Sequence, residues 1–276
     1  MNLFKLLKMS EKILIIVQAR ATSSRLPNKI LLSILGETLL SRMIERLMQV
    51  KHSVQIVIAT SENEEDNVIK TEAEFIGIPC FRGSLDNLLD RHYQTALKYE
   101  ADIVLKIPSD CPLIDPRIVD KGLDYFIKNR EQFDYVSNLH PATYPDGNDV
   151  EIMTMECLSK AWHEAKRPLE LEHTTPYIWE NPDKFSIGNF AWEKGLDYSM
   201  SHRFTIDYRK DYFFIKKVFE ELYFANPQFS LEDILNLLDR KPEIYKINAE
   251  YAGVNWYRHH LDELKTVSSD QTKLIV

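Results

Sequence analysis

The sequence predicts an α/β protein built on a doubly wound, mostly parallel sheet with a smaller mixed α/β lobe, and three observations point to it. Ile13, Leu14, Ile15, Ile16 and Val17 form the β-branched run that a strand buried on both faces of a parallel sheet requires. Apolar stretches with helical spacing then alternate with further short apolar runs, the rhythm of right-handed βαβ crossovers. That rhythm breaks at HPATYPDGND, a turn-rich connection beyond which the lobe is expected.

Taken in order, Leu39, Leu40, Met43, Ile44, Leu47 and Met48 recur at helical spacing and give a first crossover helix. Val54 to Thr60 is a second strand, Glu64 to Ile76 an amphipathic helix stopped by Gly77, and Ile78 to Phe81 a third strand. Leu85, Leu88, Leu89, Tyr93, Ala96 and Leu97 mark one face of the next helix, and Asp102 to Ile107 the next buried strand. Beyond Asn138 we expect a strand over Val150 to Thr154, helices over Met155 to Ala165 and Leu169 to Glu180, and a strand over Lys184 to Trp192. The chain rejoins the first unit in a strand at Arg203 to Asp207, followed by helices over Lys210 to Phe224 and Ser230 to Leu238. The organisation expected is therefore a core of residues 11–138 and 200–240, a lobe of 139–199, and a C-terminal helical extension and tail of 241–276, frayed from Thr266.

Composition narrows the function. A chain of 276 residues with 44 % hydrophobic content can bury a sizeable core, while a net charge of -8 argues against a general nucleic-acid binder. Cys80, Cys111 and Cys157 form no CxxC pair, which fits a reducing cytoplasm rather than a disulfide framework. MNLFKLLKMS is interrupted by charge before it makes a signal-peptide core, pointing to a start at Met9, and no stretch approaches ~20 apolar residues.

The loop after the first strand, QARATSSRLPNK, is where charge concentrates. Arg20, Arg25 and Lys29 with Ser23 and Ser24 lie beyond the carboxyl end of that strand, the edge at which open α/β sheets bind ligands. Guanidinium forks and an ammonium suit polyphosphate oxygens, and Pro27 with Asn28 stiffens the turn. Neither GxGxxG nor GxxxxGK[ST] is present, so side chains must replace glycine-lined amides. Simple solvation of the basic residues is the plain alternative.

Two carboxylates reach the same edge. Asp110 follows a buried strand in PSDCPLIDP and Asp207 follows RFTI, so the pair could hold Mg²⁺ with phosphate oxygens and water, or could equally be helix caps. Glu170, Glu172 and His173 resemble a ligand cluster, although a lone histidine on an amphipathic helix is more often structural. Cys111 beside Asp110 is a poor thiolate, and Ser23 or Ser24 lacks a histidine and acid in recognisable order.

The succession QARATSSRLPNKIL, GSLDNLLDRH, SDCPLIDP, DGNDVEIMT, LEHTTPYI and RFTIDYRKDY, spanning about Ile13 to Leu238, resembles the SpsF-like acylneuraminate cytidylyltransferases. These are relatives of the CMP-sialic acid and CMP-3-deoxy-manno-octulosonate synthetases. The resemblance implies a nucleotide-diphosphosugar transferase type of sheet, a homodimer through a sugar-binding lobe, CTP as donor, Mg²⁺ as cofactor and a keto-sugar acid as acceptor. It implies that Gln18, Ala19, Arg20, Ser23, Arg25 and Lys29 hold the nucleotide, with Asp90 and Arg91 near it. Asp110 and Asp207 would bind the metal, and Asp149 and Glu151 would face the sugar. Chemistry adds Glu172 as a hydroxyl acceptor, and Mg²⁺, His173 or Arg203 as the group opposing the acid's carboxylate. Seven large aromatics in 140–192, Tyr144, Trp162, Tyr177, Trp179, Phe185, Phe190 and Trp192, argue for the self-complementary interface.

This chain departs from the family at Asn28 and Ser109, where glycine is usual, at Ala21 and Thr22, where Met-Gly is frequent, and at Tyr208, Arg209 and Lys210 after the last aspartate. Two other classes fit part of the pattern. A nucleotide-sugar glycosyltransferase would normally show Asp-x-Asp, and a non-catalytic nucleotide-binding module need not keep both carboxylates. A nucleotidyltransferase acting on a sugar phosphate differs only in acceptor.

Overall fold

The computed structural model describes residues 11–274, so the start expected at Met9 lies outside the described residues. β1 (Ile13–Gln18) leads through the basic loop to a small hairpin, β2 (Ser33–Ile34) with β3 (Glu37–Thr38), and then to α1 (Leu39–Leu47). Thr38 starts that helix by accepting the Ser41 amide at 3.0 Å. β4 (Val54–Ser61), α2 (Asn67–Ile76), β5 (Cys80–Gly83), α3 (Leu88–Lys98) and β6 (Ile103–Pro108) follow, and Gly77 at φ 80° ends α2 in the left-handed conformation.

Two further elements come next, α4 (Pro116–Lys128) and β7 (Tyr135–Ser137), which the sequence reading left unassigned. α4 was signalled nonetheless by Asp115, whose carboxylate accepts the Arg117 amide at 2.9 Å, by Pro116 in the first turn, and by the buried stripe Ile118, Val119, Leu123 and Phe126. The chain continues through β8 (Glu151–Thr154), α5 (Met155–Glu164), α6 (Pro168–His173), α7 (Pro176–Trp179), β9 (Ile187–Asn189), α8 (Arg209–Leu222), α9 (Leu231–Arg240) and α10 (Pro242–Tyr245).

One seven-stranded sheet carries the fold, in the order β5-β4-β1-β6-β8-β7-β9. β8 runs antiparallel to both its neighbours while the remaining pairs are parallel, so all strands but β8 point the same way. Residue alternation on β1 divides the core. Ile15 and Val17 pack with α1, α2, α4, α8 and α9, while Leu14 and Ile16 face α3, α5 and α7. The doubly wound architecture is therefore direct: helices cover both faces.

Several expectations change. β8 and β9 belong to the same sheet as β1, so the sheet runs on through the stretch expected as a separate lobe. The helix expected over Leu169 to Glu180 breaks at Thr174, φ 71°, just ahead of Pro176. The strand over Lys184 to Trp192 shrinks to β9, and Arg203 to Asp207 is no strand but an irregular segment. It bonds between two loops, with Phe204 N donating to Asp146 O at 2.7 Å and Ile206 N to Asp110 O at 2.8 Å. Leu97, expected on the buried face of α3, is 55 % exposed. The tail is not frayed through its described length: Lys265 and Thr266 donate their amides to Glu180 at 2.7 and 2.8 Å, and Val267 is buried. Tyr144, Tyr177, Trp179, Phe185, Phe190 and Trp192 are buried within the protomer, which removes the aromatic argument for an interface. No helix among the described residues is long and apolar enough to cross a membrane.

Candidate active site

The carboxyl ends of β1 and β6 share one sheet edge, and because β8 is reversed, its amino end arrives there too, with Glu151 opposite Lys106. Around this edge opens a cavity of about 610 Å³. Gln18, Ala19, Arg20, Ser23, Arg25, Lys29, Arg91, Asp110, Asp149, Glu151, Glu172, His173, Arg203 and Asp207 all line it. Asp90 does not. It faces α5, accepting from Trp162 Nε1 at 2.8 Å and Gln94 Nε2 at 3.1 Å.

The basic loop is held from beneath. Ala21 donates its amide to Asp66 Oδ1 at 2.7 Å, and Asn28 closes the loop onto Ala21 O at 2.9 Å. Asn28 adopts φ 54°, a left-handed conformation that glycine also takes readily, which accounts for asparagine standing where the resembling family has glycine. Below the loop, Gln18 Oε1 and Arg91 Nε are buried without a hydrogen-bond partner, as polar atoms awaiting a ligand would be.

Lys29 is the centre of the edge. Its Nζ donates to Asp110 Oδ2 at 2.9 Å, Asp207 Oδ1 at 2.9 Å and Ile206 O at 2.7 Å, so the two carboxylates expected to hold a cation already converge on one. Burial alone would lower its pKa, but Asp110 and Asp207 outweigh that and keep the ammonium charged. Neither aspartate is a helix cap. α4 is capped by Asp115, and the first turn of α8 by Asp211, which accepts the amides of Asp207 and Tyr208 at 2.9 Å each.

Asp207 also receives Arg25 Nη2 at 2.6 Å and Arg203 Nη2 at 3.0 Å. Burial opposes its charge, yet Lys29, Arg203 and Arg25 together hold its carboxyl well below the usual range. Arg203 itself is buried and divided among Asp146 at 3.1 Å, Asp211 at 3.1 Å, Asp207 and Val254 O at 2.5 Å. It is therefore a scaffold for aspartates and has no free fork for a substrate carboxylate.

Asp146 and Asp149, either side of Gly147, carry the opposite imbalance. Removal from bulk water pushes Asp146 up despite Arg203, and the same cause, opposed by the Gly147 amide but aided by Asp110 and Glu151, lifts Asp149 to about 6. Glu151 is different: burial would raise its carboxyl, but the ion pair with Lys106 and the Tyr135 hydroxyl at 2.6 Å bring it below its ordinary value. His173 is not the expected cation either. It stacks on Trp256 at 3.9 Å, and burial followed by Lys106 lowers its pKa to about 3. Glu170 serves α6, accepting from Arg167 Nε at 2.8 Å, rather than joining a ligand cluster.

The sequence reading missed Lys106, Asp146 and the wall made by residues 253–258. Lys106 had a signal, a charge inside the apolar run IVLKI. Asp146 sits in the PDGND turn beside residues already singled out. The wall carries no motif.

Residues 14–241 match the sequence model of the cytidylyltransferases. Spore coat polysaccharide biosynthesis protein SpsF of Bacillus subtilis is 28 % identical over 84 % of this chain and 95 % of its own. The structure of a cytidylyltransferase from Leptospira borgpetersenii superposes with a TM-score of 0.80 at 35 % identity, covering 85 % of this chain and 97 % of that one. CMP:2-keto-3-deoxy-manno-octonic acid synthetase complexed with CTP shares the fold, with a TM-score of 0.58 at 18 % identity, covering 76 % and 99 %. With a family model matched over residues 14–241, most of its length, this chain belongs to the cytidylyltransferase family.

Proposed function

We propose that this chain transfers CMP from CTP to a keto-sugar acid of the nonulosonic or octulosonic type, releasing pyrophosphate. The observation that carries the reading is Lys29 held between Asp110 and Asp207 at the foot of the basic loop. The acceptor hydroxyl gives up its proton to water and forms a bond to the α-phosphorus while the α–β anhydride bond breaks and pyrophosphate leaves with the electron pair. Arg20, Arg25 and Lys29 then meet the charge that grows on the leaving group.

The donor set fits a divalent cation. Asp110 and Asp207 already converge on a positive charge, and two further carboxylates, Asp146 and Asp149, line the same cavity. Among the described residues no group of three carboxylate, histidine or cysteine side chains converges, so Asp110 and Asp207 would share a Mg²⁺ with phosphate oxygens and water, the mixed shell that ion prefers. When bound, Mg²⁺ supplies charge neutralisation at the phosphates and acidifies an oxygen ligand. Asp110 and Asp207 would hold the ion, and Lys29, which donates to both, would stay beside it as a second positive charge for the phosphates.

Asp146, Asp149 and Glu172 make the acceptor side acidic, which disfavours a doubly charged sugar phosphate in a partly desolvated pocket. The name of the relative SpsF supports an end use in surface polysaccharide synthesis, and that of the octonic acid synthetase supports the acid class. A homodimer in a reducing cytoplasm completes the reading, and light scattering at micromolar concentration tests the assembly.

Pyrophosphate release with each of the four NTPs against keto-sugar acids and hexose 1-phosphates tests the chemistry. Turnover is expected with CTP, Mg²⁺ and an acid. Lys29→Ala should lower kcat by roughly 10² to 10³, the loss of one preorganised donor, with a smaller change in KM. Turnover of a sugar 1-phosphate and of no keto-sugar acid would move the acceptor class.

A further inference from the structure

Part of the cavity wall comes from beyond the family match, which ends at residue 241: Gly253, Val254, Trp256, Tyr257 and Arg258 line it. This extension is fixed in place. Val254 O accepts from Arg203, Asn255 Nδ2 donates to Gln271 O at 2.8 Å, Lys273 N donates to Gly253 O at 2.7 Å, and Trp256 lies flat on His173 with 12° between the rings.

An acceptor that carries a carboxylate needs a cation, and the cavity offers lysine and arginine at Arg20, Arg25, Lys29, Arg91, Lys106, Arg203 and Arg258. Four of these are neutralised by carboxylates: Arg25 and Lys29 on Asp207, Lys106 on Glu151 and Arg203 on three aspartates. Arg20 belongs to the phosphate loop, and Arg91 lies buried beneath that loop on α3, donating to Ser84 O at 3.1 Å. Arg258, on the extension, is half-buried and donates only to neutral oxygens, Asn255 O at 3.2 Å and Tyr208 Oη at 3.4 Å, the tyrosine whose ring also lies 5.6 Å from the Arg25 guanidinium.

We infer that Arg258 determines acceptor specificity by binding the carboxylate of the sugar acid, a role that rests on the keto-acid reading of the site. Its planar fork matches a carboxylate with two parallel hydrogen bonds, and its present oxygen partners are weak enough to exchange for a charged one. The weak contact to Tyr208 also links the wall to the segment that follows Asp207, so acceptor binding and the aspartate pair share a support.

The test separates the two substrates. In Arg258→Met the KM for the acid should rise roughly 10- to 100-fold, the weight of one charge-assisted contact, while the KM for CTP stays unchanged. Arg258→Lys should recover part of the loss, because it keeps the charge without the fork. The wild type should also prefer the acid over its primary amide by a similar factor, and the Met variant should lose that preference. An unchanged acceptor KM in a Met variant with wild-type Tm, or an equal rise in both KM values, overturns the role of Arg258. If the wild type turns over no keto-sugar acid at all, the acceptor reading fails and this inference falls with it, an outcome visible before any variant is made.

Discussion

Asp207 is gripped by three cations and Asp110 by one, so one substitution should read differently at two neighbouring positions. Asp207→Asn removes the charge that Arg25, Lys29 and buried Arg203 share, leaving Arg203 with Asp146 and Asp211 only. It should lose about 1–3 kcal/mol of stability, below the full cost of orphaning a buried charge because two partners remain. Asp110→Asn should cost little, since Asp146 and Asp149 nearby gain from the loss of a like charge. Both variants should release pyrophosphate far more slowly at limiting Mg²⁺. Urea midpoints beside Mg²⁺ titrations check this; equal stability losses would show that Asp207 is no hub. The sequence brought Asp110 and the loop of Lys29 to one edge because strand ends do so in this class of sheet, and it reached Asp207 through a strand that the structure does not have. It did not disclose that Lys29 sits between the two aspartates, as that geometry depends on the irregular segment 203–207 bonding to the Asp110 loop.

That segment is shaped by an element with no regular structure, the DGND turn. Gly147 has φ 102°, and a Cβ there would meet the carbonyl carbon of Phe204 at 2.7 Å and the amide of Thr205 at 2.9 Å, backbone that cannot rotate away. Gly147→Ala should therefore cost roughly 2–4 kcal/mol and abolish turnover by displacing Asp146 and Asp149. Gly77 is the control: its φ is 80° with nothing within 4 Å, so Gly77→Ala should cost only the left-handed backbone penalty of about 1–2 kcal/mol. Thermal unfolding of both variants decides between steric and conformational causes. Legibility at this scale followed burial. β1, β4 and β6 are read easily because parallel strands covered on both faces demand runs dominated by Val, Ile and Leu. β9 and the 203–207 segment defeat the same reading because short strands and loop-to-loop bonding impose no period on the sequence. α6 and α7 fused in the reading because Thr174, unlike glycine, gives no warning of a positive φ.

At the scale of the whole molecule, the C-terminal residues join the two cores that the sheet keeps apart. Ile244 packs on the face of α8 and α9, Leu264 and Val267 pack on the face of α3 and α5, and Val254 is buried at the cavity wall. Nothing in the sequence announced this, since 241–274 carries no long amphipathic period and its contacts are single side chains dropped into pockets formed elsewhere. Removing the extension would take those four buried apolar side chains away and expose the surface they cover, a loss of at most about 1.5–3 kcal/mol each. It would also strip Arg203 of Val254 O and of Asn248, whose side chain donates to Arg203 O and to Asp211 Oδ1 at 3.0 Å each. The total is comparable with the roughly 5–15 kcal/mol by which whole domains are stable. A chain ending at Lys241, which retains the entire family match, should therefore lose cooperative unfolding and pyrophosphate release together. A truncated protein that unfolds cooperatively at the full-length Tm would show that the extension lies on the fold without supporting it.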